Sequence, residues 1–374
     1  MKFIHLADLH LGKMLHQYSL LPLQRELLEE ITNYIKDNYI DAVVIAGDVY
    51  DHSVPSHGAV NLLNDFLNSL VNTLEVKVMM IAGNHDSADR LHFASSILES
   101  RGLYIETHLQ KEMRYIEFDR IRFYLLPFFK PVQFQDLFPE EKPDTYNDAM
   151  KGYLDKQEID PSYMNILVTH QYVGHNARLA GSEMTLSVGG GEVIDPHLFE
   201  AFDYVALGHL HAPQYLSRPT IRYSGSLMRY SFDEAHQAKS FTVVDTRDLS
   251  ITTVPLEPSK DVRVYEGYFD DFRSAGMIEK RDDLIAIELL DDQIIPQAID
   301  TLRLLYPNVL QLTYPQLLKT HDLHLERFHK VRSMSLDELY NAFYQEMTGN
   351  ELDENAEEVV KQLLEEAGEK HAAK

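Results

Sequence analysis

Cysteine is absent from the 374 residues, which excludes disulfides and thiolate metal ligands. No run of about 18 apolar residues occurs, so no membrane-spanning helix is expected. Positive charge is scarce: 34 Lys and Arg stand against 59 Asp and Glu, a formal net charge of −25. So acidic a chain is poorly suited to gripping nucleic acid alone, because phosphate contact normally needs a basic surface. Three routes around that obstacle stay open. Divalent cations can add positive charge inside a cleft, the acidic residues can lie away from the site, or a basic partner chain can supply the grip. The start, Met1-Lys2-Phe3-Ile4-His5, enters a strand at once and lacks a signal-peptide layout, so a cytoplasmic location is expected.

What is present is a repeated pattern. Apolar residues make up 44% of the chain, enough for a large core with one or two additions. Short apolar runs end five times in metal-type side chains. Asp8 and His10 follow Phe3–Ala7. Asp48 follows Ala42–Gly47. Asn84, His85 and Asp86 follow Val78–Gly83. His170 follows Ile166–Thr169, and His209 and His211 follow Tyr204–Gly208. Ligands spread over 200 residues converge only if the strands carrying them lie side by side. An α/β sheet provides this, with functional groups gathered at the carboxyl ends of its strands.

Residues two apart on a strand point the same way, so Asp8-x-His10 and His209-x-His211 each present two ligands from one strand end. Taken singly, each of these short motifs is most often a turn or a coincidence. In this order, each after an apolar run, they predict a two-metal phosphoesterase site. Imidazole with carboxylate suits Mn²⁺, Fe²⁺ or Zn²⁺, and carboxylate and amide oxygens lean toward harder ions such as Mg²⁺. Asp48 is the natural ligand to bridge both ions. His5 reads as a core histidine, and His52, His57 and His92 as surface or loop residues. Lys13, His16, Arg90 and Arg229 lie near the motifs and are candidate phosphate contacts, with ordinary surface charge as the alternative.

The organisation is strand–helix alternation. Strands are expected at Lys2–Ala7, Asp41–Ala46, Val76–Ala82, Ile121–Leu126, Met164–Thr169, Tyr204–Leu207, Ile221–Tyr223 and Phe241–Asp245. Helices are expected at Leu23–Tyr39 and Ala59–Val71. The segment Pro131–Pro161 reads as a polar surface insertion, and the glycine-rich Gly174–Glu192 as a mobile loop near the site. Residues 1–257 form the expected catalytic domain. Residues 258–320 form a small α/β domain, and 321–374 a helical tail. In the tail, Ser335 and Glu338 make a capping-box pattern, followed by Leu336, Leu339, Phe343 and Met347 on one face. A second helix carries Val360, Leu363 and Leu364. Two short amphipathic helices bury little by themselves, so they dock either on their own domain or on a partner.

These motifs resemble a known family. Asp8-Leu9-His10-Leu11-Gly12, Gly47-Asp48, Gly83-Asn84-His85-Asp86, Thr169-His170 and Gly208-His209-Leu210-His211 look like the calcineurin-type metallophosphoesterase series. Gly47-Asp48-Val49-Tyr50-Asp51, Ala206–His211 and Tyr223–Ser231 are similar to the SbcD family, bacterial nuclease subunits, over about residues 1–255. The resemblance implies a metallophosphoesterase β-sandwich flanked by helices, with a capping domain and a tail. It implies one metal on Asp8, His10, Asp48 and His211, and another on Asp48, Asn84, His170 and His209, with Mn²⁺ the usual activator. His85 would contact the scissile phosphate, and Asp86 would orient His85.

It also implies double-strand exonuclease and single-strand or hairpin endonuclease activity, in DNA repair, recombination and replication. The partner would be SbcC, a coiled-coil ATPase gripped by the tail (Leu336, Leu339, Phe343, Val360, Leu363, Leu364). Two chains of each kind would form a heterotetramer. This chain has no Gly-x-x-x-x-Gly-Lys-Ser/Thr loop of its own for ATP. Some relatives carry His three residues after the bridging Asp; here Asp51 stands there, with His52 next, so that role is assigned to neither. Two rival functions are weaker. A protein phosphatase or cyclic-nucleotide phosphodiesterase fits badly, because such phosphatases usually carry Gly-Asp-x-Val-Asp-Arg-Gly and Gly-Asn-His-Glu. A non-catalytic scaffold is disfavoured by the full ligand set.

Overall fold

The structure, a computed structural model, describes residues 1–174, 177–178, 192–274, 277–279 and 282–317. Most of the expected glycine-rich loop and all of the expected tail helices lie outside the described residues. Strands are numbered in chain order. The first sheet has the spatial order β14 (Ser250–Pro255), β13 (Ser240–Asp245), β1 (Lys2–Leu6), β4 (Ala42–Ala46), β5 (Lys77–Ile81) and β6 (Leu103–Glu106). The second has the order β11 (Gln214–Tyr215), β12 (Ile221–Tyr223), β10 (Tyr204–Gly208), β9 (Met164–His170), β8 (Ile121–Leu126) and β7 (Tyr115–Phe118). A short hairpin, β2 (Met14–Leu15) with β3 (Tyr18–Ser19), follows the first motif.

β1, β4, β5 and β6 are parallel, as are β8, β9, β10 and β12. The carboxyl ends of each set therefore share one edge.

The central strands of both sheets are buried on both faces, which is why they read as near-continuous apolar runs, whereas the edge strands β14 and β7 are partly exposed. The side-chain period of two sorts each strand into layers. Phe3, Val44, Ala46, Met79, Ile81, Phe123, Val168, Tyr204 and Ala206 fill the layer between the sheets. Ile4, Leu6, Val43, Ile45, Val78 and Met80 face outward onto helices α1 (Leu21–Asn38) and α2 (His57–Asn68). Helix α1 buries Leu23, Leu27, Ile31 and Ile35 as expected. Leu167, Val205, Leu207 and Tyr124 face the other way. The β-sandwich with flanking helices is thus the observed architecture.

The segment expected as surface insertion instead builds core. It forms helices Pro131–Leu137 and Tyr146–Leu154, the second opened by reciprocal bonds between Thr145 and Asp148. Phe134, Ala149, Met150 and Tyr153 are buried against the outer face of the second sheet. Its prolines and charges occupy the exposed sides, which hid the apolar face.

His5 is the core histidine expected. Its Nδ1 meets the Tyr204 hydroxyl at 3.1 Å and its Nε2 the Leu207 carbonyl at 3.2 Å. Burial, helped by the charge of Arg222, drives its pKa down to about 3.

Beyond the sandwich, β15 (Val262–Gly267), β16 (Leu284–Leu289) and β17 (Val309–Thr313) form a three-stranded sheet. The chain divides into two compact units. One comprises Met1–Tyr265, Ile278–Ala286 and Leu302–Gln311; the other comprises Glu266–Met277, Ile287–Thr301 and Leu312–Lys374. This division does not coincide with the boundary expected at 257/258, because stretches from each of the last three strands group with the larger unit. No described helix is long and apolar enough to cross a membrane.

Candidate metal centre

Every metal-type residue singled out in the sequence lies at the carboxyl tips of the parallel strands. β1, β4 and β5 deliver Asp8, His10, Asp48 and Asn84 from one sheet; β9 and β10 deliver His170, His209 and His211 from the other. The chain turns sharply at these tips. Asp8, His10 and Asp48 adopt φ of +52°, +42° and +50°, and His209 +110°. Left-handed backbone is unfavourable for residues with a Cβ, and such strain gathers at functional sites. Backbone packs tightly here, both within the first sheet and between the two sheets. A Cβ on Gly83 would lie 2.1 Å from Asp48 Oδ1, and one on Gly208 would lie 1.9 Å from the Ala46 carbonyl oxygen.

Among the described residues, three groups of donors draw their ligand atoms within 4.8 Å of one another: Asp8 with His10 and His211, Asp8 with Asp48 and His170, and His10 with Asp51 and His85. The Asp8 carboxylate accepts the His209 amide at 3.0 and 3.2 Å. Asp48 Oδ2 stands 3.6 Å from His10 Nε2 and 3.4 Å from His170 Nε2, while its Oδ1 accepts the His85 amide at 2.9 Å. Asp48 is therefore central, as a shared ligand must be.

The donor set fits cations. His170 Nδ1 donates to the Ala46 carbonyl at 2.8 Å, which assigns the lone pair of the neutral ring to Nε2. That lone pair faces Asn84 Oδ1 at 3.0 Å, which also lies 2.9 Å from His209 Nδ1. His211 Nδ1 likewise donates to Glu234 Oε1 at 2.9 Å, turning its Nε2 toward His10 Nε2, 3.1 Å away. Acceptor facing acceptor in a buried site requires either protons or a metal. Protons enter unevenly, since burial drives His10 down to about 4 and His209 down to about 3. Burial pushes Asp8 up to about 7, and although burial disfavours a charged His170, the Asp48 carboxylate raises it to about 9. Divalent metal could take the place of those protons, since the cluster offers both imidazole nitrogen and carboxylate oxygen donors.

Comparison with known proteins agrees with this geometry. Residues 1–213 match the family model described as calcineurin-like phosphoesterase. The SbcD subunit of the SbcCD nuclease from Staphylococcus epidermidis is 34% identical over 372 residues, spanning 97% of this chain and 98% of that protein. The chain belongs to the SbcD family of calcineurin-like phosphoesterases. Two solved structures are more remote: an archaeal phosphodiesterase (14% identity, TM-score 0.31, covering 68% of this chain and 100% of that one) and a protein of Thermus thermophilus (11%, 0.41, 68% and 99%). At those TM-scores the fold assignment rests on the family match and the sheet topology.

Around this SbcD-family site the structure corrects one assignment. Asp86 does not orient the His85 ring. Its carboxylate accepts the backbone amides of Val49, Tyr50 and Gly83 at 3.1, 3.0 and 2.9 Å, tying the β4 and β5 tips together. The group meeting His85 Nδ1 is the Asp51 carbonyl, at 3.0 Å. His85 is exposed, as is its neighbour Asn84, and its side chain is 41% accessible.

The candidate phosphate contacts are variously engaged. Lys13 pairs with buried Asp51 at 2.9 Å. Arg229 pairs with Asp261 and donates to the Gln237 carbonyl, which holds it in a structural role. His16 is exposed, 3.2 Å from Gln311. Arg90 is exposed on the short helix Ala88–His92, just past the Asn84–Asp86 turn.

Sequence reasoning missed the supporting residues. Gln24 on α1 reaches the Leu9 and His10 carbonyls (3.1 and 2.8 Å) and the Tyr230 hydroxyl, and accepts the Gly12 amide. Tyr230 donates in turn to the Leu9 carbonyl. Glu234 and Lys239 hold His211. The Ser-x-x-Glu spacing at Ser231–Glu234 is a visible turn signal, but nothing local ties it to a ligand 23 residues earlier.

Proposed function

We propose that this chain cuts DNA phosphodiesters at a pair of divalent cations, as the nuclease subunit working with an SbcC-type ATPase. The observation carrying the reading is the convergence of six donors from two sheets around Asp48, with the exposed His85 ring beside them. Asp8, His10, Asp48 and His211 would hold one ion, and Asp48, Asn84, His170 and His209 the other. When bound, the pair supplies Lewis acidity that lowers the pKa of a water and neutralises charge on the phosphate. The chain's own residues do the rest. The buried, acceptor-rich cage fixes where the phosphate sits. Asp86 and Gln24 clamp the backbone beneath it. His85, braced at Nδ1, presents Nε2 to deliver a proton to the leaving oxygen or to hold the phosphate.

Mn²⁺ is the proposed activator. Double-strand exonuclease and single-strand or hairpin endonuclease activity are the proposed reactions, carried out in the cytoplasm by a heterotetramer of two chains each. SbcD-family membership supports the partner, and the net charge of −25 supports the need for one.

The test is cleavage of linear and hairpin duplex DNA by the chain with SbcC, ATP and Mn²⁺. Cutting should vanish with a chelator and in Asp48→Asn. Undiminished cutting in either case would overturn the proposal.

A further inference from the structure

Among the described residues, the metal centre is walled on one flank and borders a cleft on another. On the His10 side, His10, Gln24 and Tyr230 are all buried. On the opposite side, Asn84 and His209 border a cleft of about 220 Å³ that also runs along Phe128, Tyr146 and Tyr172. Three aromatic residues therefore stand directly beside two metal ligands. The Phe128 and Tyr146 rings are 6.5 Å apart, Phe128 lies 6.3 Å from the His170 ring, and Tyr172 lies 6.3 Å from the His209 ring. The cleft holds one cation and one anion, Lys130 and Glu192, so its charge is balanced. It is smaller than the roughly 300–1,000 Å³ of drug-sized ligand pockets, so it admits a single flat ring system and excludes a duplex.

Resting on the nuclease reading, we propose that this cleft receives the base of a nucleotide adjoining the scissile phosphate and holds it by stacking. A base presents a π-face whatever its identity, and aromatic stacking contributes about 1–3 kcal/mol per base without phosphate charge. That suits a chain carrying −25, whose surface repels the backbone it must approach. The metal cage takes the phosphate and the neutral aromatic cleft takes the base beside it. Entry of a base here requires it to leave a duplex stack, so frayed ends and single strands are the favoured substrates.

Binding tests the proposal without depending on cleavage. The full-length, Mn²⁺-loaded chain in a His85→Ala background is titrated with short single strands, intact or carrying one abasic position moved along the strand. At one position, loss of the base should weaken binding by roughly 5- to 150-fold, the equivalent of one stacked base. Phe128→Leu with Tyr146→Leu keeps apolar volume but removes the π-faces. This variant should bind the same number of Mn²⁺ ions yet lose the discrimination to within about two-fold, as an estimate for one lost stacking site. Equal binding of intact and abasic strands at every position would overturn the proposal, as would full discrimination in the double variant. If base discrimination holds but the chain with His85 restored cuts no DNA, the nuclease reading fails and the base-binding cleft stands.

Discussion

Glu234 should control one half of the metal centre without touching a metal. Its Oε1 accepts His211 Nδ1 at 2.9 Å, and its Oε2 accepts Lys239 Nζ at 2.6 Å and the Tyr230 amide at 3.2 Å. Lys239 also donates to the His211 carbonyl at 2.8 Å, so the two residues grip both ends of that ligand. Burial alone would raise the Glu234 carboxyl, but the His211 hydrogen bond and the Lys239 charge outweigh it and hold the group at about 2. Removing a carboxylate that orients a metal-bound imidazole typically lowers metal affinity about 10- to 100-fold, or ~1.4–2.8 kcal/mol. Glu234→Gln should therefore weaken one of two Mn²⁺ sites by that factor in calorimetric titration, leaving the other near its original affinity. It also leaves the Lys239 ammonium buried beside neutral acceptors, a destabilisation on the order of 3–5 kcal/mol. Adding Lys239→Met removes that lone buried charge. The double variant should recover most of the lost stability in urea unfolding while its weak site stays weak. Unchanged affinity in Glu234→Gln would refute the reasoning. So would affinity that returns together with stability, since the first loss would then have been unfolding.

Four further outcomes are expected. His85→Ala should keep both metals, measured by elemental analysis, and lose about 10²- to 10⁴-fold in cleavage rate, the usual share of a general acid. Gly208→Ala forces a methyl against the Ala46 carbonyl and should destabilise the fold by at least about 1–3 kcal/mol, read from the urea midpoint. His5→Leu should flatten the acid side of the stability profile. The folded pKa of His5 lies near 3, below its unfolded value, so only the unfolded chain gains its proton as pH falls through 6.5. The parent should lose about 1.4 kcal/mol more than His5→Leu between pH 7.5 and 5.5. Deleting the residues after Thr320 should abolish SbcC capture in a pull-down yet preserve hydrolysis of small phosphodiesters.

The metal ligands were legible because strand geometry repeats one rule. An apolar run with a period of two announces a buried strand, and whatever follows it stands at the sheet edge. Asp8, Asp48, Asn84, His170 and His209 all obey that rule. The supporting residues do not. Gln24 sits in a helix whose buried face is otherwise apolar, and Glu234 and Lys239 lie in a turn after β12; their importance exists only once the chain has closed on itself. Asp86 shows the converse. Its place in the motif suggested a partnership with the neighbouring ring, but a carboxylate close to three unpaired amides is taken by them. The 131–161 segment reads as polar because composition averages over a helix, whereas burial depends on one stripe of it.

The filling between the two layers changes size along the strands. Phe3 gives way to Ala7 on β1 and its exit, and Tyr204 to Ala206 on β10, while Ala46 ends β4. At the catalytic tips the two sheets meet directly, where His170 bonds the Ala46 carbonyl and a Cβ on Gly208 would lie 1.9 Å from the same oxygen. Donors on opposite sheets, such as Asp48 and His170, owe their separation to this contact. Bulk added at Ala206 would prise the edges apart and retune the spacing of both ions from a distance, so side chains that never see a cation set the gauge of the cage.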